Sequence, residues 1–163
     1  GVQAAAAGAA EVLCVDSSET ALAQLAHNAA LNGAAARVQG RQGEAFAILK
    51  ELRAARQHFD VVILDPPAFI KRKKDLQAGQ TAYQRLNQAA MQVLARDGVL
   101  ISASCSYHLG RDTLRQLLLQ TSRHLDRGLA ILEQGHQGPD HPLLPAVPET
   151  EYLKAFICRV LPG

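Results

Sequence analysis

Only three cysteines occur in the 163 residues, and Cys14, Cys105 and Cys158 show no regular spacing. That scarcity argues against a disulfide framework and a thiolate zinc site, and it fits a reducing compartment. No metal is expected. No apolar run reaches membrane-spanning length, and the alanine-rich start lacks the charged flank and cleavage pattern of a signal peptide. A cytoplasmic protein without membrane contact is the expectation. Net charge is +2, too small for a global field that would announce nucleic acid, although the charge is unevenly placed. Neither an internal repeat nor a linker divides the chain, so residues 1–163 read as one domain. With 48% hydrophobic and 20% charged residues the chain has the composition of a globular protein able to bury a core.

The most informative stretch is Phe59 to Phe69, FDVVILDPPAF. Val61, Val62, Ile63 and Leu64 form a continuous apolar run, which predicts a strand buried on both faces, as in parallel sheets. Pro66 and Pro67 forbid further ladder bonding, so Asp65 is fixed at the strand's carboxyl end. Ligands bind along that edge in open α/β sheets. A plainer reading stands beside this one, a capped strand with a solvated Asp.

The remaining chain alternates strand and helix. Val2 to Ala7 is helix-prone, with Gly8 placed to end it. Val12 to Val15 is a short buried strand closed by Asp16. Ser17 or Ser18 caps a helix from about Glu19 to Leu31, stopped by Asn32-Gly33. Ala36 to Gln39 is a weak strand. Glu44 to Arg56 is helical, with Phe46, Leu49 and Leu52 on one face. After the central strand, a basic loop, Lys71-Arg72-Lys73-Lys74, leads to a helix from about Thr81 to Leu94. Asp97-Gly98 turns into a strand from Val99 to Ala103, followed by Ser104-Cys105-Ser106. A helix over Arg111 to Leu125, a strand from Leu129 to Glu133, a loop over Gly135 to Pro148 and a last strand from Tyr152 to Val160 complete the pattern. This is an α/β chain with a doubly wound sheet and an antiparallel edge formed by a final hairpin.

Two residues carry candidate chemistry besides Asp65. An acid closing the strand after a Gly-rich turn accepts hydrogen bonds from a ribose diol, and Asp16 fits that role; it also fits a helix cap. The Gly-rich turn would precede residue 1, with Gly1 standing where its last glycine would lie. Cys105 lies past the end of a strand on the same sheet edge as Asp65, where a thiol can act as a nucleophile. Inert packing is its alternative. Cys14 and Cys158 lie inside apolar strands, where cysteine behaves as a small hydrophobe. Tyr107 and His108 are placed to line a pocket, although a lone His is more often structural or solvated.

Four stretches, VDSSETAL…NAALNG, FDVVILDPPAFIKRKK, AYQRLNQAAMQVLARDGVLISASCS and DHPLLPAVPETEYLKAFICRV, together resemble one set of bacterial S-adenosylmethionine-dependent RNA methyltransferases. Those enzymes modify large-subunit ribosomal RNA at cytosine C5. The resemblance implies a Rossmann-like class I methyltransferase sheet and S-adenosyl-L-methionine as cofactor. It implies cofactor contacts from Gly1, Asp16, Ser17, Glu44, Asp65 and Pro66, with Asp16 on the ribose and Glu44 by the adenine. Asp65 and Pro66 also form the floor of the target-base site. Cys105 becomes the nucleophile. Pro67 and Phe69 bound the base pocket, while Lys71, Arg72, Lys73 and Lys74 adjoin it and suit ribosomal RNA phosphates, although a solvated loop is the plainer reading of any one of them. His141 and Lys154 belong to the signature without a role that can be derived, and a homodimer is left open.

The same resemblance leads to the expectation that the chain is a fragment. Its first strand, its Gly-rich loop and an N-terminal RNA-binding domain are missing, so the sheet should have a gap beside the Asp16 and Asp65 strands and cofactor binding should be weak. Competing readings are an amino-group methyltransferase of the adenine-N6 type, which has no use for Cys105, and a non-catalytic RNA-binding remnant. A small-molecule methyltransferase leaves the basic loop without a purpose.

Overall fold

The computed structural model describes residues 1–163, which form two compact units, Gly1–Glu51 and Leu52–Gly163. The first holds α1 (Val2–Ala6), β1 (Val12–Asp16), α2 (Glu19–Leu31), β2 (Val38–Gln42) and most of α3 (Ala45–Ala54). β1 and β2 pair in parallel from Val12↔Val38 to Asp16↔Gln42. Ser18 caps α2, its hydroxyl accepting from the Ala21 amide at 3.2 Å. Asn32 closes the helix, and Gly33 follows with φ +62°, in the left-handed region that favours glycine. The core joins Ala5, Ala29, Ala34 and Val38 to Val2, Val12, Cys14 and Leu25. Arg37 ties α1 to this core, donating to the Ala5 carbonyl at 2.7 Å.

Several expectations shift here. β2 begins at Val38, because the Arg37 and Val38 amides bond back to Ala34 O in a turn that occupies the predicted strand start. β1 is not buried: its end is open to solvent at Val15. α3 stops at Ala54, ahead of Arg56 with its positive φ, and it buries Ile48, Leu49 and Leu52 while Phe46 stays partly exposed.

The second unit is a four-stranded sheet of order β3-β4-β6-β5, from β3 (Phe59–Leu64), β4 (Leu94–Ser104), β5 (Gly128–Gly135) and β6 (Lys154–Leu161). β3 and β4 run parallel, and β6 is antiparallel to both β4 and β5. The final hairpin of β5 and β6 therefore forms the expected antiparallel edge, with β6 on its inner side against β4. α4 (Leu76–Gln92) and α5 (Arg111–His124) pack on each other and on the sheet, covering one face. Period-two alternation in β6 sends Lys154, Phe156, Cys158 and Val160 into that interface.

The other face is open. Val61 and Ile63 are 51% and 60% exposed, so β3 is not the strand buried on both sides that its composition predicts. No helix of this unit crosses that face. β3 pairs on one side only, with β4, and no ladder joins the two sheets. α4 starts at Leu76, five residues before its expected start, because a 3₁₀ turn over Lys73–Asp75 leads straight into it. β4 starts early as well. Asp97-Gly98 is a bulge within it: β3 advances from Phe59 to Val61 while its partner moves from Leu94 to Val99. Asp97 adopts φ +64° there, and a Cβ on Gly98 would lie 3.0 Å from Asp60 O. Arg159 of β6 grips the Asp97 carboxylate and holds its pKa below the usual range. No helix is long and apolar enough to cross a membrane.

Arg127 stitches the end of the sheet away from Asp65. It donates to the carbonyls of Met91 (3.0 Å), Ala95 (3.0 Å) and Val160 (2.9 Å), satisfying groups that the end of α4 leaves open. Arg127→Ala orphans those carbonyls and should lower the unfolding free energy by about 3 kcal/mol, read as a lower urea midpoint at unchanged slope.

Candidate active site

Parallel pairing of β3 with β4, in the register Leu64↔Ser102, brings both carboxyl ends to one edge. Asp65, Pro66 and Pro67 leave one strand, and Cys105 leaves the other. The Cys105 thiol is half-buried and lies 3.9 Å from Pro66 O. Asp65 is exposed and its carboxylate has no protein partner. The structure thus joins the two residues that the sequence singled out for chemistry.

Behind the thiol lies a buried hydroxyl network that sequence reading missed. Ser104 donates to Tyr83 Oη at 2.9 Å, and Tyr83 Oη and Ser106 Oγ share a bond of 2.9 Å. Ser106 Oγ also accepts from the Ile70 amide at 3.1 Å. Phe69 packs on the Tyr83 ring at 4.8 Å between centroids. The signal was present in LISASCS: Leu100, Ser102 and Ser104 share the buried face of β4, and the alternation gives Cys105 the opposite parity. α4 approaches this loop closely at Gly79, where a Cβ would sit 2.2 Å from Ile70 Cγ1 and 3.0 Å from Phe69 O. Gly79→Ala should therefore cost about 2 kcal/mol through overpacking and loosen the Phe69–Ile70 segment, visible as faster amide exchange at Ile70.

Lys154 also escaped assignment. It is 5% exposed, and its ammonium donates to the carbonyls of Ser106 at 2.6 Å and Leu109 at 2.7 Å, at the two ends of the turn after Cys105. Burial pulls its pKa down from 10.5 to about 8, an effect that the neighbouring Cys105 opposes. Between those values the unfolded chain holds a proton that the native protein has released. Stability should therefore rise from about pH 8 towards 10.5 in the wild type relative to Lys154→Met, as measured by urea unfolding across that range. The buried Cys158 thiol, pushed up to about 11, titrates in both proteins and cancels in the difference.

In the first unit, Asp16, Ser17 and Glu44 gather at the carboxyl edge of β1 and β2. Asp16 Oδ1 accepts from the Ser18 amide at 2.8 Å, and Asp16 O accepts from the Gly43 amide at 3.0 Å. Asp16 therefore does structural work in the turn while its other carboxylate oxygen stays free. Ser17 and Glu44 are exposed. Gly1 precedes α1, where a Cβ would stand 2.3 Å from Cys14 Sγ, so a larger residue there would have to displace that side chain.

The basic run is solvent-exposed. Arg72 is engaged by Asp75 (Nε to Oδ2, 3.0 Å), whereas Lys71, Lys73 and Lys74 carry no such pairing. His141 pairs with the exposed Asp140 at 3.1 Å, and His108 meets the Tyr107 ring edge-on.

Comparison with known proteins adds three findings. A family model described as RNA cap guanine-N2 methyltransferase matches residues 2–138. The chain is 34% identical over 152 residues to a "Ribosomal RNA large subunit methyltransferase I" of Erwinia tasmaniensis, covering 93% of this chain and 38% of that protein. The chain thus spans about two fifths of the length of the curated relatives it matches. Among solved structures, a SAM-dependent methyltransferase from Streptococcus mutans superposes with TM-score 0.83 at 19% identity, over 97% of this chain and 40% of its own. A methyltransferase solved with SAH has the same TM-score at 20% identity, over 97% of this chain and 41% of its own. The fold is that of a Rossmann-like class I methyltransferase.

Proposed function

The chain belongs to the methyltransferase family whose model is described as RNA cap guanine-N2 methyltransferase, and from that premise we propose that residues 1–163 form the catalytic domain of an S-adenosyl-L-methionine-dependent enzyme that methylates large-subunit ribosomal RNA at C5 of a cytosine. One observation carries the C5 assignment: a half-buried thiol, Cys105, on the same sheet edge as the unpaired Asp65, 3.9 Å from Pro66 O.

The donor set suits the cofactor. Asp16 engages one carboxylate oxygen with the Ser18 amide and keeps the other for a ribose diol. Ser17 and Glu44 flank it on the same edge, with Glu44 assigned to the adenine. When bound, the cofactor would supply an electrophilic methyl group, its S–CH3 bond breaking and the sulfur leaving as a neutral thioether. The chain's own residues supply the rest. Cytosine C5 is a weak nucleophile, so the Cys105 thiolate first adds to C6 and turns C5 into an enamine-like centre that takes the methyl. Asp65 holds the N3 and N4 edge of the base as charge moves onto the ring. A base removes the C5 proton, the C6–S bond breaks, and Cys105 is regenerated. Pro66, Pro67 and Phe69 bound the pocket for a base taken out of its stack, while Lys71, Lys73 and Lys74 contact flanking phosphates. Arg72, tied to Asp75, is a weaker candidate for that contact.

RNA containing 5-fluorocytosine tests the mechanism, because its C5 fluorine cannot be abstracted. Incubation of the protein with cofactor and this RNA should give a denaturation-resistant protein–RNA adduct, absent in Cys105→Ala. C5 transfer by that variant should fall on the order of a thousandfold or more. Transfer that survives in Cys105→Ala without an adduct would move the target to nitrogen. The family description, which names guanine N2, favours that second reading, in which Asp65 and the Pro66 loop hold an exocyclic amine. No transfer at all would leave an RNA-binding role.

A further inference from the structure

Every polar atom of Ser106, the residue after Cys105, is engaged. Its amide donates to Ser104 Oγ at 3.2 Å, and its hydroxyl meets Tyr83 Oη at 2.9 Å and the Ile70 amide at 3.1 Å. Its carbonyl accepts from Lys154 Nζ at 2.6 Å and from the Leu109 amide at 3.0 Å. Ser106 is 1% exposed and Tyr83 is fully buried. Three separate elements converge on this residue: α4 through Tyr83, β6 through Lys154, and the Asp65–Ile70 loop through the Ile70 amide. That loop is fixed at one end by β3 and at the other by Ser106. The spacing between the thiol and the Asp65–Pro66 segment is thus set by the Ser106 hydroxyl, which Tyr83 orients.

Packing alone does not require this arrangement. An apolar pair of similar volume would fill the same space without buried hydroxyls that must all be satisfied. Ser104 and Ser106 are buried against Tyr83 while Cys105 between them is half-buried, so the two serines flanking the thiol work on its backbone and not on the substrate. We infer that Tyr83 is a positioning residue for the reaction: through Ser106, with Lys154 bracing the turn from below, it holds the Cys105 thiol at the attack distance from a base seated on the Asp65–Pro66 loop. This rests on the reading of Cys105 as nucleophile.

The test is single-turnover adduct formation on 5-fluorocytosine RNA by the wild type, Tyr83→Phe, Ser106→Ala and the double variant. Tyr83→Phe keeps the ring against Phe69 and removes only the hydroxyl. Its rate at saturating RNA should fall about 10- to 100-fold, the scale of a thiol displaced by up to about 1 Å, with the KM values for RNA and cofactor within about twofold of wild type. Ser106→Ala should show the same split, and the double variant should be no slower than the slower single, because both changes break one linkage. Lys154→Arg should retain the rate and Lys154→Met should lose it. If Tyr83→Phe is destabilised, Ser106→Ala gives the same reading. A wild-type rate in Tyr83→Phe, a loss confined to KM, or multiplicative losses in the double variant would overturn the positioning role and leave the mechanism intact. Absence of adduct in the wild type would overturn the nucleophile reading and this inference with it.

Discussion

The parallel pairing of β3 with β4 is the constraint on which the candidate site depends. Parallel strands deliver their carboxyl ends to one edge, and the register Leu64↔Ser102 leaves Asp65 and Cys105 only a few residues from the last ladder bonds. Neither residue carries chemistry from its own segment alone. Asp65 is held because two prolines stop β3 from continuing, and Cys105 because β4 ends at Ser104. The bulge at Asp97-Gly98 serves the same pairing from the other end. It absorbs the extra residues of β4 so that the last part of the strand keeps an even register with β3 as far as the exit.

Towards the carboxyl end of β4, the buried face of the sheet changes from apolar to polar. Leu100 gives way to Ser102 and Ser104 on β4, and Phe156 gives way to Lys154 on β6. Polar groups in that position are destabilising unless each finds a partner. Ser104, Ser106, Tyr83 and Lys154 do so through one connected set of bonds, whereas Ser102 Oγ and Asn87 Oδ1 are buried without a protein partner. The polar layer sits directly under Cys105. The same chain segment therefore meets two opposite demands: an apolar grip lower in the sheet for stability, and a dense hydrogen-bonded layer at the edge that fixes backbone geometry.

Much of this fold was legible in the sequence, for local reasons. α2 was readable to its ends because Ser18 and Asn32-Gly33 are strong cap and stop signals that act within a few residues. The strand exits at Asp16, Asp65 and Ser104 were readable because each apolar run stops abruptly. What could not be read was decided by distant partners. β3 has the composition of a strand covered on both faces, yet its exposure depends on which layers lie over it, and no composition rule supplies that. The start of α4 was hidden by a basic run that looks like a loop but is half 3₁₀ turn. Lys154 reads as a surface lysine until the antiparallel ladder Ser104↔Lys154 turns it beneath the Cys105 turn.

The two carboxylates proposed for the site illustrate how one residue type acquires different duties. Asp16 is partly consumed by its own turn, accepting from the Ser18 amide, so its position is fixed and its remaining oxygen points a defined hydrogen-bond acceptor outward. Asp65 is held only by its backbone, between a strand end and two prolines, and its side chain has no partner to give up before meeting a base. A polar group already satisfied by the protein gains little from a ligand, whereas one left open on a rigid backbone gains the whole bond. By that criterion, Asp65 is the carboxylate of the proposed site whose hydrogen bonding stays open to a ligand, and Cys105 is the thiol proposed to act beside it.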